Sequence, residues 1–205
     1  MPLIKFRSGT NCIVYGVSSS GKTTFILELL KQRLITNFPP RIFYFYKIFQ
    51  PFMDSWNLQS GYPKITFIEG MPSDEMKNGN CICVMDDLLL EKQKRSAELF
   101  IYQSHHLNIT TFFLSQNLYP RDECFRLMLL NSQYIVIMPD IRSFRQVRTL
   151  ANQLFADEDK KRVLNAFKSA IKEPYGMIIL NFVKNIPREL TVLTNYWSDT
   201  PSVFL

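Results

Sequence analysis

An α/β fold with a mostly parallel central sheet flanked by helices is predicted by two features of the 205-residue sequence. Short apolar runs alternate with amphipathic helical patterns, and this alternation is typical of βαβ units. Apolar residues make up 46% of the chain and charged residues 20%, which is the composition of a globular protein and excludes a disordered one. No internal repeat or linker-like segment interrupts the pattern, so we expect residues 1–205 to form one domain.

The predicted strands and helices follow one another along the chain, with a helix between most strands. The strands are expected at 11–16, 41–46, 65–70, 81–87, 110–116, 133–138 and 176–182. The helices are expected from residue 22 to the Pro39-Pro40 pair, over roughly 91–103, over 122–130 and within 143–171. Parallel pairing follows because two parallel strands need a long crossover connection, which is usually a helix.

The sequence motif between the first strand and the first helix is the strongest functional signal. It reads GVSSSGKT and fits the P-loop pattern G-x-x-x-x-G-K-[ST]. Such a loop wraps backbone N–H groups around phosphate oxygens, and the helix that follows adds the positive end of its dipole. We therefore expect ATP to be bound by Gly16, Val17, Ser18, Ser19, Ser20, Gly21, Lys22, Thr23 and Thr24.

Two residues of this motif have specific chemical roles. Lys22 is expected to reach the β- and γ-phosphates and to be a catalytic residue. Thr23 is expected to supply a hydroxyl to Mg²⁺. ATP and Mg²⁺ are thus the expected ligands, and a plain serine-rich turn before a helix is the alternative that we disfavour.

The apolar strand CICVMDD ends in two acids, which is the form of a Walker B motif. Asp86 is expected to hold the Mg²⁺ shell, and Asp87 is expected to activate the attacking water. A glutamate is commoner at the position of Asp87, and aspartate is shorter by one methylene. Glu91 is therefore an alternative residue for the activation of the attacking water. Solvated acids at a strand end are the alternative without catalysis.

Gln116 directly follows the apolar run TTFFLS. A polar residue at the tip of a strand beside the P-loop strand can contact the γ-phosphate or orient the attacking water, so Gln116 is a candidate catalytic residue. The Ser-Gln-Asn sequence there is also typical of a simple turn, and this second interpretation stays open.

Several stretches of the chain resemble viral genome-packaging ATPases of the Polinton/Maverick and adintovirus type, which are relatives of the poxvirus packaging ATPase and of the FtsK–HerA superfamily. SHHLNITTFFLSQNLYP resembles the segment that leads into their strand ending in Q-N-L-[FY]. The similar stretches, which together extend over nearly the whole chain, are 44–56, 65–72, 104–120, 126–155 and 174–182.

The resemblance implies a single P-loop NTPase domain of the additional-strand type, ASCE and RecA/FtsK–HerA-like. It also implies an ATPase that drives double-stranded DNA, without sequence specificity, into a preformed capsid. The implied partners are further copies of the chain in a pentameric or hexameric ring and the capsid or portal vertex. The implied location is the nucleus or cytoplasm of an infected host cell, and the virion.

The resemblance also assigns roles to two polar residues. Gln116 takes the position of a γ-phosphate sensor, and Arg126 matches an arginine that is a candidate trans finger acting on a neighbour's nucleotide. Arg121 and Arg142 are the other candidates for the finger. A bond from Arg126 to Glu123 within its own subunit is the alternative that remains open.

A small nucleoside or nucleotide kinase is the main alternative function, since such kinases are also single P-loop domains of about this length. A kinase should carry an arginine in the acceptor-binding motif after its second strand, whereas this chain has KIFQPFMD there. A P-loop protein that only assembles on nucleotide is a third possibility. The intact Lys22, Thr23 and Asp86 count against it.

The charge and cysteine content constrain the partners and the compartment. The net charge of +6 favours a polyanionic partner, although the excess is divided equally between residues 1–120 and 121–205, and a solvated surface is the alternative. No cysteine pair has zinc-site spacing, so buried reduced thiols and an intracellular, not secreted, protein are expected. No apolar run approaches the roughly 18 residues that span a bilayer, so no membrane partner is expected.

Other conspicuous residues are expected to have structural roles. The adjacent His105 and His106 cannot comfortably bind one metal ion together. The aromatic run 44–46 is expected to pack in the core, and a ring that stacks on adenine is the alternative. A solvated helical face is expected for Arg142, Arg145 and Arg148, and a DNA- or subunit-facing surface is the alternative. The residues Lys160, Lys161 and Arg162 are also expected to be exposed to solvent.

Overall fold

The computed structural model describes residues 4–88, 97–118, 123–198 and 202–204. Nine strands of these residues form one sheet. They are β1 (Asn11–Tyr15), β2 (Arg41–Tyr46), β3 (Thr66–Glu69), β4 (Cys81–Asp86), β5 (Ile109–Ser115), β6 (Tyr134–Ile137), β7 (Ile178–Asn181), β8 (Val192–Thr194) and β9 (Ser202–Val203).

Helices connect most of the strands. They are α1 (Lys22–Lys31), α2 (Phe52–Trp56), α3 (Ser104–His106), α4 (Glu123–Leu130), α5 (Phe144–Leu154) and α6 (Asp157–Ala170). A π-helical segment, Leu99–Gln103, runs directly into α3, and 3₁₀ turns occur at Asp74–Met76, Ile141–Ser143 and Arg188–Thr191. None of the helices in the described ranges combines the length and the apolar character needed to cross a bilayer.

The strand order is β3-β2-β4-β5-β1-β6-β7-β8-β9. The six strands from β3 to β6 are parallel, and β7, β8 and β9 extend the sheet with antiparallel pairs. The prediction of a mostly parallel α/β sheet is confirmed. β5 lies between the P-loop strand β1 and the strand β4, so the sheet has the additional strand that the resemblance implied.

Each face of the sheet carries its own hydrophobic core, as the alternation of side chains along the strands requires. On one face, Cys12 and Val14 of β1 pack in a cluster with Phe25 and Leu29 of α1. On the other face, Ile13 of β1 packs in a cluster that includes residues of α4, α5 and α6. The strands are therefore buried on both sides, which explains why they read as continuous apolar runs.

The cysteines and histidines lie where the sequence indicated. Cys12, Cys81 and Cys83 are buried free thiols, and Cys124 is partly buried and free. Both His105 and His106 are exposed. Within the described residues, no cluster of three histidine, cysteine or acidic side chains could hold a metal ion.

The C-terminal third differs from the sequence prediction in two respects. The helical pattern within 143–171 is divided into α5 and α6, because residues 155 and 156 leave the helix with Phe155 in an extended conformation. The short strands β8 and β9 were not predicted. The part of the predicted helix at 91–96 lies outside the described residues.

The prediction that Arg162 is exposed was wrong. Its side chain is only 5% exposed. The guanidinium donates to Asp159 Oδ1 at 2.7 Å, to the carbonyl oxygen of Arg188 at 2.9 Å and to the carbonyl oxygen of Phe204. Arg188 contacts the same Asp159 oxygen at 3.0 Å. The arginine therefore links α6 to the C-terminal segment, and burial is possible because its N–H groups have acceptors.

Candidate nucleotide-binding site

The candidate site lies at the edge of the sheet where the carboxyl ends of β1, β4 and β5 meet. In open α/β sheets ligands bind outside the carboxyl ends of the strands, so this edge is the expected location. The P-loop connects β1 to α1, Asp86 is the last residue of β4, and Gln116 follows the last residue of β5. Three segments that are far apart in the sequence are thereby brought together by parallel pairing.

The backbone of the P-loop has the close approaches and positive φ angles that its glycines permit. Gly16 N–H donates to the carbonyl oxygen of Ser115 at 3.1 Å, which ties the loop to β5. A Cβ added to Gly16 would lie 2.3 Å from Ser20 Oγ and 3.0 Å from Met138 Cβ, so neighbouring side chains would have to move to admit it. Gly21 has φ of 97° directly before α1, a conformation that other residues rarely adopt.

Lys22 is nearly buried at the start of α1. Its ammonium group donates to the carbonyl oxygen of Gly16 at 2.7 Å and to that of Val17 at 2.9 Å, so it is folded over the P-loop. Burial lowers the pKa of Lys22, and the nearby carboxylates of Asp86 and Asp87 partly oppose this by favouring the charged form. A cation is thus held where phosphate oxygens would enter.

Asp86 is buried and held by two side chains that the sequence analysis did not assign to the site. The hydroxyl of Tyr44 donates to Asp86 Oδ2 at 2.6 Å, and the amide of Gln50 donates to the same oxygen at 3.2 Å. Burial raises the pKa of Asp86, whereas the Tyr44 hydroxyl and the charge of Lys22 lower it. Tyr44 also interacts with the hydroxyl of Thr23, so it links the two predicted metal ligands.

Asp87 points to a different partner. Its Oδ2 accepts a hydrogen bond from Gln116 Nε2 at 2.8 Å, and both side chains are exposed. Asp87 has φ of 55°, a left-handed conformation that aspartate tolerates better than most residues. The change of backbone direction after β4 gives the two adjacent acids separate partners, Tyr44 for Asp86 and Gln116 for Asp87.

These residues share one cleft of about 600 Å³. Its lining includes most of the predicted site, namely Ser18, Ser19, Ser20, Gly21, Lys22, Thr23, Thr24, Asp86, Asp87 and Gln116. Four further residues that no motif indicated also line it, namely Lys47, Ile48, Gln50 and Tyr175. The signal for Gln50 was its place just after a strand that ends at the same sheet edge.

The oxygen atoms in the cleft suit Mg²⁺. A carboxylate of Asp86 and a hydroxyl of Thr23 are hard donors, and Mg²⁺ is usually held by one or two protein groups together with phosphates and water. A set of protein ligands that encloses the ion is not needed at such a site. The two residues predicted to hold the metal therefore fit it.

The candidate arginine fingers are not among the residues that line this cleft. Arg126 is exposed on α4. Arg142 is exposed and pairs with Asp140 at 2.7 Å within its own chain. Arg121 and the alternative acid Glu91 lie outside the described residues.

Comparisons with protein-family models and with curated protein sequences found no match. The fold is similar to two solved structures over nearly the full length of each. B204, the DNA-packaging ATPase from Sulfolobus turreted icosahedral virus, has a TM-score of 0.56 at 11% identity, with 97% of this chain and 98% of that chain covered. The genome-packaging NTPase B204 from Sulfolobus turreted icosahedral virus 2, in complex with ATP-γS, has a TM-score of 0.51 at 12% identity, with 96% and 97% covered.

The strand order and these similarities agree on the architecture. β5 separates the P-loop strand from the strand that ends in Asp86, and the P-loop itself has the backbone conformation described above. The chain therefore has the additional-strand P-loop ATPase fold of the RecA/ASCE type.

Proposed function

We propose that this protein is an ATP-hydrolysing motor subunit that drives double-stranded viral DNA into a preformed capsid. In this proposal residues 1–205 are one ATPase domain of the Polinton/Maverick and adintovirus type. The protein acts in the nucleus or cytoplasm of the infected cell and at the capsid or portal vertex of the virion.

The observation that carries the hydrolytic part is the contact between Asp87 and Gln116 beside the P-loop. Hydrolysis needs a base and an orienting group for water near the γ-phosphate. The cleft holds a carboxylate and an amide 2.8 Å apart, at the ends of adjacent strands. In the proposed mechanism Asp87 accepts the proton of the attacking water, and Gln116 orients Asp87 and the water.

The remaining residues of the cleft bind and polarise the triphosphate. The P-loop N–H groups and the ammonium of Lys22 bind the phosphate oxygens. Asp86 and the hydroxyl of Thr23 would hold Mg²⁺, which neutralises charge on the β- and γ-phosphates when bound. Tyr44 and Gln50 keep the carboxylate of Asp86 in one orientation.

Packaging is supported by two observations. The sequence resembles packaging ATPases along nearly the whole chain, and the fold matches a DNA-packaging ATPase over 97% of it. The net charge of +6 is consistent with a polyanionic partner. No arginine is among the described residues that line the cleft, which leaves a place for one supplied by a neighbour in a pentameric or hexameric ring.

One experiment tests the function directly. ATP hydrolysis is measured with and without long duplex DNA, and the mass of the assembled particle is measured under the same conditions. We expect DNA to stimulate hydrolysis by an oligomer of five or six subunits, and Lys22→Ala to remove both basal and stimulated activity. Transfer of the γ-phosphate to a nucleoside acceptor, or a monomer whose hydrolysis ignores DNA, would contradict the proposal.

The mode of DNA binding is part of the same proposal. Binding should be independent of sequence and strongly dependent on salt, because only phosphate contacts are expected from the dispersed basic residues. Assembly should strengthen it by placing several copies of one basic surface around the duplex. A sequence-specific footprint, or an affinity unchanged between about 50 and 200 mM salt, would contradict it.

A further inference from the structure

A second cavity adjoins the phosphate cleft. Its volume is about 550 Å³, within the range of small-molecule sites. Its walls are mainly apolar and aromatic, with Phe25, Met138, Tyr175, Met177 and Trp197 as the principal side chains. In the proposed site the phosphates lie at the P-loop, so a ligand group that entered this neighbouring cavity would have to be apolar and not a phosphate.

The two cavities are joined at the start of α1. Ser20, Gly21, Thr24 and Tyr175 line both of them. The ring of Tyr175 reaches over the loop, since a Cβ added to Gly21 would lie 3.6 Å from Tyr175 Cδ1. A ligand with its phosphates on Lys22 can therefore extend past Thr24 and Tyr175 into the apolar cavity.

The indole of Trp197 is held in place by its neighbours. It packs edge-on against Phe25, with ring centroids 5.8 Å apart, and against Tyr196, with centroids 4.9 Å apart. Even so it remains 37% exposed, and Tyr175 is 81% exposed. Two aromatic side chains that border one cavity and keep this much exposed surface are suited to stack on a flat ring.

A polar group at the rim of the cavity can form a hydrogen bond with the edge of such a ring. Glu28 lies on α1, and Gln32 directly follows the last residue of α1. The two residues are one helical turn apart, and both line the cavity. The Gln32 amide donates to Glu28 Oε2 at 3.1 Å, and Lys31 pairs with Glu28 Oε1 at 3.3 Å. These contacts orient the Gln32 amide and leave its carbonyl oxygen as an acceptor for an exocyclic amino group.

We propose that this cavity binds the nucleobase of the triphosphate, as a purine stacked on Trp197 and Tyr175 with its edge at Gln32. The inference rests on the proposed nucleotide site and adds its base-binding half. The stacking residues do not come from the aromatic run 44–46, which the sequence offered only as an alternative base-stacking site. Tyr44 and Phe45 of the aromatic strand are fully buried, and the hydroxyl of Tyr44 is used by Asp86.

Affinity measurements separate the base from the phosphates. We measure the binding of ATP, CTP and inorganic tripolyphosphate, each with Mg²⁺, to the wild-type chain and to Trp197→Ala. The variant should lose roughly ten- to a hundredfold in ATP affinity, as is typical of base stacking, and should bind tripolyphosphate as before. The wild type should bind ATP more tightly than CTP, and CTP at least as tightly as tripolyphosphate. Tyr175→Ala, at a largely exposed position, should show the same selective loss without a change in folding.

The chain offers a matched spectroscopic control, because its two tryptophans lie in different places. Trp56 is buried on α2 and donates to the carbonyl oxygen of Pro63 at 2.9 Å, and it does not line the cavity. ATP should change the fluorescence of the Trp56→Phe protein, which reports Trp197, and should leave that of the Trp197→Phe protein unchanged.

Two results would overturn the inference and have different meanings. If the wild type binds tripolyphosphate as tightly as ATP, or if both alanine variants keep full ATP affinity, the cavity does not bind the base and the phosphate site stands. If the wild type binds neither ATP nor tripolyphosphate, the proposed nucleotide site itself is wrong and the base site fails with it.

Discussion

Gln116 Nε2 donates a hydrogen bond to Asp87 Oδ2 at 2.8 Å, across the ends of two adjacent parallel strands. The register explains the contact, because Asp86 on β4 lies opposite Leu114 on β5, so the chain positions just beyond both strands are neighbours. Asp86, one residue earlier, bonds instead to Tyr44 on the other neighbouring strand. The two adjacent acids thus have different hydrogen-bond partners, Tyr44 for Asp86 and Gln116 for Asp87. Each acid can therefore have its own role in the site.

Exchange of each acid for its amide should separate these tasks. Asp86→Asn should weaken Mg²⁺-dependent binding of ATP, because an amide oxygen is a poorer ligand for a hard cation. Asp87→Asn should keep Mg·ATP binding and lower turnover by about 10²-fold or more, because an amide cannot accept the proton of water. Binding by calorimetry and turnover under saturating ATP measure the two effects. Identical behaviour of both variants would refute the division of roles.

Lys22→Ala should abolish hydrolysis and weaken ATP binding. The ammonium lies within hydrogen-bond distance of two P-loop carbonyl oxygens. In the proposed site it would supply the positioned charge for the β- and γ-phosphates. Turnover should fall below about a tenth of the wild-type value, since phosphoryl transfer depends on positioned charge. Steady-state phosphate release measures it, and a variant with more activity than this would show that the P-loop assignment is wrong.

Tyr44→Phe should raise the Mg²⁺ concentration that gives half-maximal hydrolysis. The hydroxyl holds the Asp86 carboxylate and also interacts with Thr23, so its loss frees the orientation of the expected metal ligand. Loss of such an outer contact typically costs roughly 10- to 100-fold in metal affinity. Turnover is measured against Mg²⁺ concentration, and it should recover at saturating Mg²⁺ because the ligands themselves are intact.

Tyr46→Phe is the matched control for that variant. Tyr46 lies on the same strand, and its ring contacts Phe49 with centroids 6.1 Å apart. Removal of its hydroxyl should leave the Mg²⁺ dependence unchanged. An equal shift in both variants would mean that Tyr44 acts on the strand as a whole and not on Asp86.

The local features of the site could be predicted from the sequence because they depend on short-range patterns. The P-loop is a contiguous string whose glycines are required by the backbone between a strand and a helix. Asp86 and Gln116 each end an apolar run, and parallel strands bring such ends to one edge. The additional strand β5 was implied by resemblance, and the pairing of β5 with both β1 and β4 confirms it.

The residues that the sequence did not reveal depend on contacts between distant segments. Tyr44 was expected to be a core aromatic residue, and its ring is buried. Its hydroxyl, however, donates to Asp86, which lies 42 positions further along the chain. Trp197 and Tyr175 approach α1 only because the antiparallel strands β7 and β8 bring the C-terminal part back to the P-loop. Arg162 stands in a charged run, so only the folded chain shows that it is buried.

The Arg162 contact makes a prediction about stability. Asp159→Asn should lower the free energy of unfolding by about 1–3 kcal/mol at neutral pH, because a nearly buried guanidinium loses its charged acceptor. Asp157→Asn is the control, since Asp157 lies in the same first turn of α6, carries the same charge and is 93% exposed. It should change stability much less than Asp159→Asn does, because its carboxylate is exposed. Urea unfolding of the three proteins measures both.

The pH dependence follows from the same contact. Arg162 and Arg188 lower the pKa of the Asp159 carboxyl, so its ionised form stabilises the folded state at pH values above the usual carboxyl pKa of about 3.9. That contribution is lost as the pH falls through the lowered pKa. The stability difference between wild type and Asp159→Asn should therefore shrink in acid. A difference that stays constant down to the lowest pH at which the protein folds would show that Asp159 contributes by packing alone.

Arg126 provides the test of the proposed ring. Hydrolysis spreads negative charge over the γ-phosphoryl oxygens, and an arginine delivered to them can accelerate the reaction by about 10³–10⁵. Arg126 is exposed on α4 and does not line the cleft of its own chain, so its guanidinium would have to serve the nucleotide of a neighbour. Arg126→Ala should then assemble and bind ATP, but alone it should be inactive in hydrolysis.

A mixing experiment distinguishes this trans role from a bond within one subunit, such as one to Glu123. Arg126→Ala subunits keep intact ATP sites and lack the finger, whereas Lys22→Ala subunits have inactive sites and keep the finger. In a mixed ring an Arg126→Ala subunit beside a Lys22→Ala subunit receives a finger at a working site, so DNA-stimulated hydrolysis should reappear although each variant alone is inactive. Arg142→Ala is the matched control, because that arginine is already paired with Asp140, and it should stay active alone. The trans role is wrong if Arg126→Ala alone keeps near-normal turnover, or if mixing restores nothing while mass measurement shows that mixed rings form.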